Sequence, residues 1–225
     1  MREEIDVFHD LRRRLCSGEF AYGTKLRAEA LRKDYDCAAS TVRENLLRLS
    51  ELGLVDFQEQ RGFRMPEYAP ERQHDITATR IMLESEAACR AMRQGGVEWE
   101  AQLSAAHHKL SHIESRMSAR GMTEELLRLW SAAELEFHQT LLSACGSPLL
   151  MELHLIVYYR YRQVNIEADR ALTDLAENIE EHKNILDAAL TGDEDLMRRR
   201  IYEHFKRHLV LGESAQTTTL VSLAG

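Results

Sequence analysis

At 225 residues, with 44% hydrophobic and 29% charged side chains, the chain has the composition of a globular protein with one large core or two smaller ones. No run approaches the roughly 20 apolar residues that span a bilayer, and four cysteines without CxxC spacing exclude a disulfide framework or a zinc knuckle. A net charge of −8 excludes a uniformly basic coat but not a DNA-binding face, which needs only local positive charge.

The start, MREEIDVFHD, lacks the apolar stretch of a signal peptide, so a soluble, cytoplasmic protein is expected. Val7, Leu11 and Leu15 then recur at helical spacing and predict a short amphipathic helix. A second helix is expected from about Arg27 to Tyr35. A third begins near Ala38 and buries Val42, Leu46 and Leu49, leaving Ser40, Arg43, Glu44 and Arg48 on its outer side. Val55 and Phe57 alternate with polar residues, and the turn at Gly62 leads into a second short strand.

Two short helices, a tight turn and a hairpin rich in Arg and Gln make a winged helix-turn-helix pattern. A major groove about 12 Å wide admits one helix, whose first turn reaches base edges and phosphates. Ser40, Thr41 and Arg43 occupy that turn, with Arg48 further along. Gln60, Arg61 and Gly62 form the wing tip, where a glycine allows close approach to a sugar-phosphate strand.

Pro66 and Pro70 bracket the one plausible linker, placed at 68–75 between a DNA-binding domain (1–67) and a helical domain (76–214), with a frayed tail over 215–225. The second domain reads as about six helices, broken near QGG 94–96, Gly121, CGSP 145–148 and TGD 191–193. The fold class expected is mainly α: a winged helix-turn-helix of three helices plus a β-hairpin, followed by an antiparallel helical bundle.

Polar residues interrupt the apolar faces of that bundle. Glu134 and His138 stand one turn apart beside Trp130, Phe137 and Leu141; His182 lies beside Ile179 and Leu186, and His204 beside Ile201 and Phe205. Three histidines and a carboxylate converging from three helices suit a divalent metal, with zinc, nickel, iron and manganese all compatible. The alternative is a set of hydrogen-bonded core histidines. His108 and His112 share the i, i+4 spacing but fall on the polar side of their helix. His208 lies nearly on the face of His204, and spacing alone does not choose between them.

Residues 5–66, above all TVRENLLRLSELGLV (41–55) and the wing RGF (61–63), resemble the N-terminal domain of the GntR superfamily of bacterial transcription regulators. The resemblance implies that Arg43 contacts DNA and that Gly62 lies against its backbone. Where the family usually has Ser-Arg, this chain has Ala38 and Ala39, so a different operator is expected, and Asp36 becomes the candidate cap for the third helix.

Residues 76–211 are similar to the FCD ligand-binding domain of the FadR-type branch, through ELEFH (134–138), HKNILDAALTGD (182–193) and EHF (203–205). By that resemblance Glu134, in place of the usual Asp, joins His138, His182 and His204 as metal ligands, and His204 is preferred to His208. It also implies that Arg80 faces an effector, a small carboxylate that pairs with guanidinium beside the metal; the alternative for Arg80 is an ordinary salt bridge to Glu84. The expected protein is a cytoplasmic, metabolite-responsive repressor, not an enzyme. It would bind a pseudo-palindromic double-stranded operator as a homodimer, with no membrane association. The competing classes are a metal-dependent enzyme fused to a DNA-binding domain, and an architectural DNA-binding protein with a purely structural bundle.

Overall fold

The computed structural model describes residues 6–170 and 175–210, and the side chains of all of these except 166–170 and 175. The tail expected at 215–225 lies outside the described residues.

In the first module, α1 (Val7–Cys16) starts on Asp6, whose carboxylate accepts the His9 N–H at 3.0 Å. The expected second helix is shorter than its pattern suggested: α2 (Ala28–Leu31) passes into a single 3-10 turn at Arg32–Asp34. Only Leu31 in this stretch is buried, too little apolar surface to hold a longer helix. The third helix, α3 (Ala39–Glu51), buries Val42, Leu46 and Leu49 completely, as their spacing requires. Its N-cap is Ala38, without a side-chain hydrogen bond. Asp36 does not cap it, but takes a left-handed φ of 50° in the turn before it.

The wing consists of β2 (Asp56–Gln58) and β3 (Gly62–Arg64), which pair antiparallel with Phe57 opposite Phe63. A third strand, β1 (Lys25–Leu26), adds to the free edge of β3 and gives the order β1-β3-β2. Two residues carry too little pattern to announce a strand. Leu11, Leu15, Leu46, Leu49, Leu54 and Phe63 share the core of this module.

The second module contains α4 (Pro70–Gln94), α5 (Val97–Arg120), α6 (Glu124–Leu142), α7 (Pro148–Arg170), α8 (Leu175–Thr191) and α9 (Glu194–Phe205), closed by a 3-10 turn at Lys206–His208. Residues 70–75, expected in the linker, are already helical. Pro70 sits in the first turn of α4, where its missing N–H costs nothing. Helices α5 and α6 run antiparallel, tied by Trp99 to the Thr140 carbonyl and by Lys109 to Glu136. Helices α4 and α7 do the same through Glu84 with His154. Leu103, Leu110, Phe137, Leu141, Met197 and Ile201 are among the fully buried side chains of this core.

The modules meet along α7. Arg160 Nε donates to the Leu52 carbonyl at 2.7 Å and Gln163 Nε2 to the Leu54 carbonyl at 2.9 Å, while Tyr22 Oη donates to the carbonyls of Gln163 and Val164. Gly53, between the two accepting residues, has φ +69°, and a Cβ there would lie 2.6 Å from Arg160 Nη2. Gly53→Ala is therefore expected to lower stability by about 1–2 kcal/mol from the left-handed backbone alone, read as an earlier denaturant midpoint. An unchanged midpoint would mean that this turn relaxes without cost.

Candidate functional site

Helices α6, α8 and α9 bring His138, His182 and His204 together in the core of the second module. All three are buried, with one nitrogen from each within 4.8 Å of the others. Each ring is gripped from behind by a carboxylate. His138 Nδ1 lies 2.8 Å from Glu84, His182 Nδ1 3.0 Å from Glu114, and His204 Nδ1 2.9 Å from Glu181. The Nε2 atoms of His138 and His182 are buried with no hydrogen-bond partner. A buried polar atom without a partner is costly. A carboxylate on Nδ1 with Nε2 left for an ion is how proteins orient metal-binding histidines. Burial pushes both His138 and His204 below the ordinary imidazole value, so these rings are held neutral, the state that coordinates. The donor set thus fits a divalent metal.

Glu134, expected as the fourth ligand, stands beside this cluster and not within it. Its Oε1 is 3.6 Å from His138 Nε2 but accepts Arg80 Nη2 at 3.2 Å, and its Oε2 accepts Tyr158 Oη at 2.5 Å. Burial alone would raise this carboxyl, yet the Arg80 charge, with help from Arg162 and the Tyr158 hydroxyl, holds it down to about 2. Both oxygens are committed to the core network.

Arg80, expected to face an effector, is fully buried in the same network. Its Nε donates to Glu84 at 2.7 Å, and its guanidinium lies 4.3 Å from the Phe205 ring centre and 4.4 Å from that of Tyr161. Only Nη1 is left without a partner. A cavity of about 20 Å³, enough for one water-sized occupant, adjoins the histidines and is lined by Arg162, Trp130, Glu134, His182, His204 and His208, among others, but not by Arg80. Arg162 also lines a cleft of about 730 Å³ between α1, α6 and α7, a volume suited to a small metabolite.

His208 is buried against Tyr161, and burial pushes it down to about 4; it stands outside the three-histidine cluster. His108 and His112 are exposed, as their side of the helix predicts. Glu84 holds Arg80 in the ion pair that is the alternative for that arginine, whereas no motif marks Glu114 or Arg162 for this site. Glu114 was accessible to the reasoning used for Glu134, since it follows Leu110 by one turn on the apolar face of α5. Glu84 stands one turn after Arg80.

On the first module Ser40, Thr41 and Arg43 are exposed on the first turn of α3. The Arg43 guanidinium lies 5.5 Å from the Phe63 ring centre and 5.8 Å from that of Phe57, which brings α3 against the wing. Gln60 and Arg61 are exposed at the wing turn, where Gln60 and Gly62 take positive φ. Arg48 points elsewhere: it stacks on Phe8 of α1 at 4.3 Å and donates to Asn45.

Comparison with known proteins covers both modules. The family model described as bacterial regulatory proteins, gntR family, matches residues 5–65, and that of the FCD domain matches residues 75–207. The chain is 33% identical over 204 residues to the HTH-type transcriptional regulator BphR of Paraburkholderia xenovorans, covering 89% of this chain and 81% of that protein. It is 27% identical over 205 residues to the HTH-type transcriptional repressor GlaR of Escherichia coli, with 88% and 91% covered. Among solved structures, E. coli McbR/YncC superposes with a TM-score of 0.75 at 21% identity, over 90% of this chain and 93% of that one. A GntR regulator from Rhodococcus sp. RHA1 gives 0.69 at 21% identity, over 89% and 92%. These two likenesses show the fold.

Proposed function

The chain belongs to the GntR family and is a transcription regulator with an FCD effector-binding domain; from this premise we propose that it is a metal-dependent repressor released by a small carboxylate. One divalent ion binds His138, His182 and His204, and the effector approaches it on the side of Arg162. The observation that carries this reading is the convergence of three carboxylate-held imidazoles with two buried Nε2 atoms left over. Repression is supported by the name of the relative GlaR.

Two copies bind a pseudo-palindromic operator, each placing α3 in a major groove. Pairing through the helical domains is supported by exposed Met82, Leu149 and Leu153 on α4 and α7, which pack on each other. Helix α7 supports a route for the response. It carries Tyr158 and Arg162 at the cleft, and Arg160 and Gln163 on the DNA-binding module. A ligand that displaces the first pair acts on the same rigid element as the second.

Calorimetric titration with zinc, nickel and manganese tests the metal, and selection from random duplexes with and without chelator tests its link to DNA. One ion per chain and a chelator-sensitive ligand response are expected. Full response without metal would favour an architectural bundle with merely structural histidines.

Two substitutions divide the halves of this reading. Glu114→Gln keeps the shape behind His182 but removes the charge, and should weaken metal binding by about 10–100-fold with helical CD unchanged. Unchanged affinity would mean that Glu114 serves only Trp130 and Asn178, both of which also donate to it. Arg43→Ala should cost about 1–3 kcal/mol of operator binding at matched salt and leave metal binding intact. If affinity holds, α3 is not the reading helix.

A further inference from the structure

An open concavity of about 450 Å³ lies between the start of α2 and the first turn of α3, lined by Lys25, Arg27, Ala39, Ser40 and Arg43, with Glu29 at its edge. The other arginines among the described residues of this module are engaged. Arg13, Arg14 and Arg32 are bridged to carboxylates, Arg12 and Arg48 lie on rings, and Arg61 and Arg64 donate to amide oxygens. The side chains of Lys25 and Arg27 have no partner among the described residues. Glu29, the one acid among the described residues that line the concavity, is tied to Arg32 at 2.8 Å. Ala39 lines the concavity with a methyl group only, where a long side chain would take up space. An uncompensated cationic hollow in a chain of net charge −8 is a local inversion of the protein's field, on the same side as Ser40 and Arg43.

We infer that this hollow is a backbone clamp for duplex DNA, in which Lys25 and Arg27 neutralise phosphates beside the groove entered by α3. The inference rests on the DNA-binding role proposed above and adds contacts from β1 and the start of α2, outside the reading helix and the wing. Phosphate contacts set affinity and register without reading bases. Lys25 and Arg27 therefore act on every sequence alike, whereas Arg43 discriminates.

The test is binding of the full chain to a random-sequence duplex across a salt series. Lys25→Ala and Arg27→Ala should each make the slope of log K against log salt shallower by about one, and weaken random and selected duplexes by the same factor. Ala39→Glu should nearly abolish binding to both, since it puts a carboxylate into the lining of the hollow at a helix start that tolerates acids well. Lys33→Ala is the control: Lys33 also lacks a partner among the described residues but does not line the hollow, and its removal should leave the slope unchanged. If Lys25→Ala and Arg27→Ala retain the wild-type slope while Arg43→Ala loses affinity, the clamp is wrong and the DNA-binding role stands. If the wild-type chain binds neither duplex, both fall.

Discussion

Arg80→Ala should destabilise the protein by about 3–5 kcal/mol, because it leaves buried carboxylates without their counter-charge. Arg80 is fully buried and bridges Glu84 at 2.7 Å and Glu134 at 3.2 Å. Burial would raise both carboxyls, and the guanidinium is the main reason they are held below their ordinary range. Arg80→Lys should recover only part of the loss, since an ammonium cannot serve two carboxylates in a fork and stack on Phe205 and Tyr161 as well. Urea denaturation of both variants measures this. A loss below about 1 kcal/mol, the range of an exposed ion pair, would show that water reaches the network and that Arg80 is free to meet an effector.

His182→Ala should lower metal affinity by more than about 100-fold, beyond the loss that follows removal of a supporting carboxylate. It takes away one of three converging nitrogens and leaves two imidazoles, too few to hold a divalent ion closed against solvent. The ligand response should vanish with the ion. DNA binding should survive, because the first module keeps its own core. Elemental analysis and calorimetry, run beside His108→Ala, His112→Ala and His208→Ala, check the assignment. The first two controls are exposed and the third stands outside the cluster, so all three should bind metal normally. Full binding by His182→Ala, or loss only in His208→Ala, would overturn the three-histidine centre.

Each of these expectations draws on a different level of information. The spacing of Val42, Leu46 and Leu49 announced α3 and its buried face, because helix periodicity is local and the interior accepts only apolar stripes. The breaks at 94–96, 121, 145–148 and 191–193 were legible for the same reason: glycine and proline act on their own backbone. Family resemblance favours His204 over His208, and the structure places His204, but not His208, beside His138 and His182. Residue spacing alone had left both open, since two positions one turn apart share a face until another helix covers one of them.

Periodicity placed Glu134 and His138 on the buried side of α6, and it determined that each needed a partner. It did not determine which. Arg80 from α4 and Tyr158 from α7 come from 54 and 24 residues away to claim the Glu134 oxygens, and only chain packing decides that contest. Glu84 likewise reaches His138 across 54 residues, and Glu114 reaches His182 across 68. The two-residue strand β1 exists because β3 offers it an edge. Helical and apolar patterns are properties of neighbouring residues, so the sequence by itself determined the elements, their buried faces and the residues that must be satisfied. The pairing of buried charges depends on distances between helices, which tertiary structure alone supplies. It made Glu134 and Arg80 members of an ion network and left three histidines facing one another.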